Sequence, residues 1–216
     1  MKNMKKVLLI FLCLAAIIGA TIMGTLAWLT DKEIATNTFT VGKVDITVDE
    51  AKVNPDGTPV ANADRVKENK YHLIPGQTYI KDPTMTVDKD SEEAYVRMLL
   101  TINHKSELDE IFAPGIDLTT IFQGFDGSNW KHQGETLVGN TVIYEFRYKE
   151  TVKPNGSEDV VLDALFDSFT IPNTLDGDDL KKIENLTITV EGHAIQAAGF
   201  ADADAAWAAF EQQVNP

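Results

Sequence analysis

The sequence predicts an all-β protein with minor helices: a jelly-roll β-sandwich with short helical insertions and a C-terminal helix. Three observations point there. Stretches with apolar residues at every second position recur about eight times, which is the period of a half-buried strand. Turn signals built on Pro, Gly and Asn stand between them. Helical spacing is confined to residues 105–123, 175–183 and the C-terminus. Strands that bracket helical insertions favour a jelly roll over a plain meander.

The elements follow in order. Ile34 to Val53 reads as strand, rich in Thr, Val, Ile and Phe. Phe39 and Val41 share one face, and after Gly42 the apolar phase moves to Val44, Ile46 and Val48, which suggests a bulge at the glycine. Residues 54–70 form a polar loop around Asn54-Pro55-Asp56-Gly57, and Pro75-Gly76 marks another turn. Thr78–Val87 is a strand interrupted by Pro83, placed at an edge or bent there. Asp88–Glu93 is an acidic turn. Ala94–Asn103 is a strand with Val96, Met98, Leu100 and Ile102 on one face.

Leu108, Ile111, Phe112, Leu118, Ile121 and Phe122 then recur at helical spacing. They predict a helical segment broken at Pro114-Gly115, within an insertion set at residues 104–135. Strands return at 128–138 and at Thr141–Val152, where Val142, Tyr144, Phe146 and Tyr148 alternate with charged residues. Asp159–Ile171 reads as a strand, and Leu175–Ile183 as a short helix capped by Asn173 or Thr174. Leu186, Ile188 and Val190 open a strand that runs to Gln196. A last helix starts near Asp202 and puts Trp207, Phe210 and Val214 on one stripe.

The start of the chain has a different character. Lys2, Lys5 and Lys6 precede an uncharged run from Val7 to Leu29, which contains Thr25-Leu26-Ala27 near its end. A basic head, an apolar body and small residues before a polar switch make a secretory signal. Cleavage after Ala27 leaves Trp28 as the mature N-terminus and residues 28–216 as a single secreted domain. Membrane contact is then limited to the signal segment before cleavage. The alternative is a retained anchor, since the run is long enough to span a bilayer core of about 30 Å.

Composition narrows the function. The net charge is −14, and removing residues 1–27 takes away three lysines and no acid, giving −17. A surface this acidic repels nucleic acid and anionic membranes. The one cysteine, Cys13, lies in the signal, so the mature chain has neither disulfide nor thiol chemistry. It follows Ile10-Phe11-Leu12 rather than the small residues that precede a lipid-modified cysteine. Secreted eukaryotic domains usually carry disulfides, so their absence points to a bacterial exterior.

The motifs of catalysis are missing. His72, His104, His132 and His193 form no H-E-x-x-H; His104 with Glu107 and His132 with Glu135 offer one histidine and one acid each. There is no G-x-S-x-G elbow, and Gly124, Gly127 and Gly134 are spaced as turn glycines. The expectation is no catalytic residue, no metal ligand and no cofactor. The acidic turns at 88–93 and 176–179 lack the twelve-residue calcium-loop pattern and read as solvated. Tyr144, Phe146 and Tyr148 read as core or cross-strand pairs, the alternative being a carbohydrate-binding face beside Trp130.

Trp28–Val41 is of another kind. It has no proline or glycine and is rich in Thr and other β-branched residues. Cleavage frees it, so it is a candidate donor strand for the sheet edge of a neighbour. Ile34, Phe39 and Val41 are the residues for burial, each worth about 1.5–3 kcal/mol. The alternative is that this segment is the first strand of its own domain and no polymer forms.

GTLAWLTD (Gly24–Asp31) followed by NTFTVGKVDI (Asn37–Ile46) resembles the start of the TasA/camelysin (CalY) family. LIPGQTYIKDPTMTV (Leu73–Val87), AYVRMLLTI (Ala94–Ile102), LFDSFTIP (Leu165–Pro172) and ITVEGHAIQAAGF (Ile188–Phe200) fit the same pattern in the same order. The resemblance implies a secreted Gram-positive protein, cut by a SipW-type signal peptidase and folded as a jelly roll. It further implies a structural protein of the extracellular matrix or cell surface, a biofilm fibre subunit that assembles by N-terminal donor-strand exchange. Its partners would be the peptidase and either copies of itself or a related matrix protein. Three alternatives stay open: a non-polymerising surface or matrix binding module, a camelysin-like metallopeptidase, and a soluble secreted protein without assembly.

Overall fold

Pro83 stands where an expected strand divides between two sheets. A computed structural model describes residues 43–112 and 121–214. The expected Thr78–Val87 strand is two strands there, β2 (Thr78–Ile80) and β3 (Thr84–Val87), parted by Lys81-Asp82-Pro83. Proline has no N–H to give a ladder, so pairing stops and the chain changes sheets. β2 pairs with β9 (Ser168–Thr170), whereas β3 pairs with β1 (Ile46–Asp49) and β8 (Val160–Val161).

The same event recurs later. Asp159–Ile171, expected as one strand, is β8 and β9 in different sheets. Between them Leu162, Leu165 and Phe166 are buried, so their apolar character reflects filling of the space between sheets rather than one continuous ladder. The other strands are β4 (Ala94–Ile102), β5 (Phe122–Gln123), β6 (Trp130–Val138), β7 (Thr141–Tyr148) and β10 (Ile188–Gln196). The helices are α1 (Lys105–Ile111), α2 (Gly177–Lys182) and α3 (Ala203–Val214). The protein is all-β with minor helices, as the alternation predicts.

Three antiparallel sheets result, ordered β10-β4-β7-β6, β1-β3-β8 and β2-β9-β5. Among the described residues only β6 and β7 are consecutive strands that also pair, so the order is not a meander. One core cluster takes Met85 and Val87 from the second sheet, Met98, Leu100 and Tyr144 from the first, and Tyr79 and Phe169 from the third. At Gly192 a Cβ would lie 2.4 Å from Val48 Cγ2 and 2.7 Å from Met85 Cε, so glycine lets β10 lie against β1 and β3. Gly57 closes the expected turn at φ +80°, where a Cβ would meet Tyr79 Cα at 2.7 Å.

Two local expectations change. Phe122 belongs to strand β5, opposite Phe169, rather than to a helix; its spacing from Phe112 and Ile121 reflects burial in the same core. The cap of α2 is Asp176, not Asn173 or Thr174. Its carboxylate accepts the N–H groups of Asp178 and Asp179, and the Asp179 side chain answers the N–H of Asp176.

The outer face of the first sheet holds a second, separate cluster. Ile195, Ala206 and Trp207 are buried there, with Tyr95, Phe200, Ala203 and Phe210 packed around them. Trp207 and Phe210 are the expected stripe of α3. Among the described residues no helix is long and apolar enough to cross a membrane.

Candidate interaction groove

The strand edges decide where another chain can attach. Ladder groups alternate along a strand. Thr187 O accepts from Asn103 N–H, and Ala197 N–H donates to Glu93 O, so the odd residues of β10 turn their backbone toward β4. The backbone groups of Ile188, Val190, Gly192 and Ala194 therefore face the other edge. Among the described residues β10 has no second strand neighbour.

β1 follows the same logic. Asp45 O accepts from Asp88 N–H, so Ile46 and Val48 face away from β3. At the end of β1, Glu50 exchanges two 2.8 Å bonds with Val66, which closes that edge.

Residues of both edges, Val48–Glu50 and Ile188–Val190, line a groove of about 890 Å³. Val48, Leu73, Leu180, Leu186, Ile188 and Val190 line it, all partly buried against the main core. These residues form an apolar part of the floor, continuous with the sandwich interior. Lys67 and Lys70 stand with Asp49, Glu68 and Glu184 around the rim.

A buried ion pair sits in the same groove. Lys81 Nζ lies 2.6 Å from Glu50 Oε2, with side chains 8% and 7% exposed. Glu50 Oε1 also accepts from Asn69 Nδ2, which donates to Ala51 O as well. Tyr71 donates to Ile80 O at 3.0 Å. Burial first, then the charge of Glu50, pushes its phenol well above the ordinary tyrosine range. Sequence reasoning missed this pair, because its partners are 31 residues apart and no local spacing joins them.

The residues singled out for other chemistry are dispersed. His72 is exposed at the groove, and His104 takes φ 56° before α1 with Glu107 3.8 Å away. His132 stacks on Phe146 at 5.0 Å, and His193 meets Arg97 on the outer face. Among the described residues no three His, Cys, Asp or Glu side chains converge on a metal-sized site. In the 176–179 turn Asp176 and Asp179 are engaged in capping, and the N–H groups of Asp179 and Asp178 hold the Asp176 carboxyl below its ordinary value. In the 88–93 turn Glu93 accepts from Thr151 Oγ1 at 2.6 Å and pairs with Lys153, and both lower its proton affinity.

Tyr144 and Phe146 face the core, and Trp130 is 3% exposed with its Nε1–H on Asp163 O. The aromatic row is therefore interior, which overturns the carbohydrate-face alternative.

The chain matches no family model, no curated protein and no solved structure.

The processing residues Ala27 and Trp28 and the donor residues Ile34, Phe39 and Val41 lie outside the described residues. Pro114-Gly115 and Leu118 of the expected insertion lie outside them too. The groove's residues come from five separate stretches of chain: 48–50, 67–73, 81–83, Phe169 and 180–190.

Proposed function

We propose that this chain is a secreted structural protein of a bacterial extracellular matrix or cell surface, assembling by strand donation. The segment Trp28–Val41 of one copy enters the groove beside β10 of the next. The groove carries the reading: an apolar floor continuous with the core, bounded by backbone groups of Ile188 and Val190 that β4 does not use. An added strand satisfies such groups and places alternate side chains on the floor. Phe39 and Val41 share one strand face and suit that floor; the Thr-rich opposite face suits water.

The tethered precursor holds its donor at the membrane, so cleavage after Ala27 times the assembly. A SipW-type peptidase is the processing partner on this reading. The net charge of −17 opposes close approach of copies, and acid relieves it by protonating carboxylates.

The test compares the secreted protein with a version lacking Trp28–Thr36, by electron microscopy and sedimentation. Fibres from the first and folded monomers from the second are expected. Equal polymerisation of the two sinks the proposal. Monomers from both, at high concentration and across pH, point instead to a binding module.

A further inference from the structure

Arg97, on β4, is 4% exposed on the outer face of the first sheet. Its guanidinium lies 4.4 Å from the Trp207 ring and 5.1 Å from the Phe210 ring, both on α3. Its Nε and Nη2 stand 3.2 and 3.1 Å from His193 Nδ1 on β10. Nη2 also donates to Glu211 Oε1 of α3, and Nη1 reaches Glu145 Oε1 of β7 at 3.5 Å. An arginine has donors only. His193 Nδ1 is therefore the acceptor, and the ring carries its single proton on Nε2, 3.1 Å from Glu191 Oε1. In this arrangement the imidazole is neutral, and it stacks on Phe210 at 4.8 Å.

We propose that α3 is a proton-controlled latch, held closed by the contacts of Arg97 with Trp207, Phe210 and Glu211 that the bond to neutral His193 orients, and loosened when His193 takes a second proton. That proton must sit on Nδ1, facing the guanidinium. The bond is lost and two cations meet at about 3 Å where water is scarce: the side chains of Arg97 and His193 are 5% and 17% exposed.

The surrounding charges do not cancel this. Glu191, on the same strand, attracts an imidazolium but is 67% exposed, so solvent screens it. Glu145 of β7 is held by Arg147 at 2.6 Å. On α3, Glu211 is held by Arg97 and Asp204 by Arg147. Tyr95 of β4 completes the wall. Histidine is the side chain whose charge ordinarily changes between pH 5 and 8.

Loosening stays local. The cluster under α3 is separate from the main core, so the helix can open while the sandwich persists. Opening uncovers Arg97 and Arg147 beside Tyr95 and Ile195, a cationic and aromatic patch on an acidic molecule. His193 and α3 lie outside the groove, so this inference stands apart from the assembly reading.

The test is amide hydrogen exchange of α3 in the full chain from pH 8 to pH 5, corrected for intrinsic exchange. In the wild type, protection over Ala206–Gln212 should fall as pH falls, approaching the tenfold per pH unit that one proton allows, while β4 and β7 keep theirs. His193→Gln, whose carbonyl accepts from Arg97 but takes no proton, should be flat. A flat wild type, or the same fall in His193→Gln, overturns the latch. The wild type alone supplies a second check: the His193 ring titration seen by NMR must share its midpoint with the loss of protection. Separate midpoints overturn the latch too.

Discussion

Removing the lysine from the groove's buried ion pair tests the packing of the whole β1 end. Lys81→Met leaves the Glu50 carboxylate 7% exposed with Asn69 as its one remaining partner among the described residues. Breaking a buried pair from one side costs about 3–5 kcal/mol, because an uncompensated charge stays in a poorly solvated place. Against a typical stability of about 5–15 kcal/mol, that is a large share. With a urea m-value near 2 kcal/mol/M, the midpoint should fall by about 2 M. The double variant Lys81→Met with Glu50→Met removes both charges while Asn69 keeps its bonds to Ala51 O and Val53 N–H. It should recover to within about 1–2 kcal/mol of the wild type. Urea titration followed by far-UV circular dichroism reads both. A single variant within about 1 kcal/mol of the wild type at unchanged m, or a double variant worse than the single, refutes the reasoning.

Three further outcomes are expected. Asp176→Asn keeps the acceptor that caps α2 but cannot titrate. The wild-type carboxyl sits below its ordinary value through the N–H groups of Asp179 and Asp178, so its contribution is present above the ordinary aspartate range and lost as pH falls through the lowered value. Exchange protection of α2 amides between pH 6 and pH 2 should fall in the wild type and stay flat in the variant. Gly192→Ala, which forces a Cβ against Val48 and Met85, should lower stability by about 1–3 kcal/mol in thermal melts. Ala27→Phe should make a membrane-bound precursor accumulate, seen by immunoblot and N-terminal sequencing, because a signal peptidase admits small side chains only.

Much of the fold was legible because alternation is local. β4, β7 and β10 keep one apolar face throughout, and the α3 stripe repeats at helical spacing. What misled was tertiary. Leu162, Leu165 and Phe166 look like the middle of a strand but fill the gap where the chain changes sheets. Asn173 and Thr174 are good caps by type, and Asn173 even has an acid three residues on, yet the reciprocal box forms at Asp176 with Asp179. The groove left no sequence signal, since Glu50, Lys81 and Ile188 meet only after the sheets stack. The Arg97 centre was hidden for the same reason: its partners on β7, β10 and α3 lie 48, 96 and 114 residues away.

The described strand edges differ in how they are guarded, and under the proposed strand donation the difference favours β10 as the point of attachment. Proteins blunt free edges with short strands, bulges, charges and covering loops. β8 and β5 are two residues long and β2 is three. β6 is long but is bulged between His132 and Gly134 and carries Lys131 and Glu135. β1 is closed at its end by Val66. β10 runs nine residues in unbroken register with β4, and the N–H groups of Ile188, Val190, Gly192 and Ala194 turn away from β4, toward an edge with no second strand among the described residues. Val190→Pro tests this directly. The Val190 N–H points away from β4, so proline there removes no bond of the ladder and should cost the monomer only about 1–3 kcal/mol for lost packing and local strain. For a strand arriving at that edge the same change deletes a donor and adds a ring in its path. A folded variant that no longer forms fibres, in material where the wild type does, is the expected result. Fibres of undiminished length from Val190→Pro would move the attachment point away from β10, leaving the apolar floor of the groove without the role assigned to it.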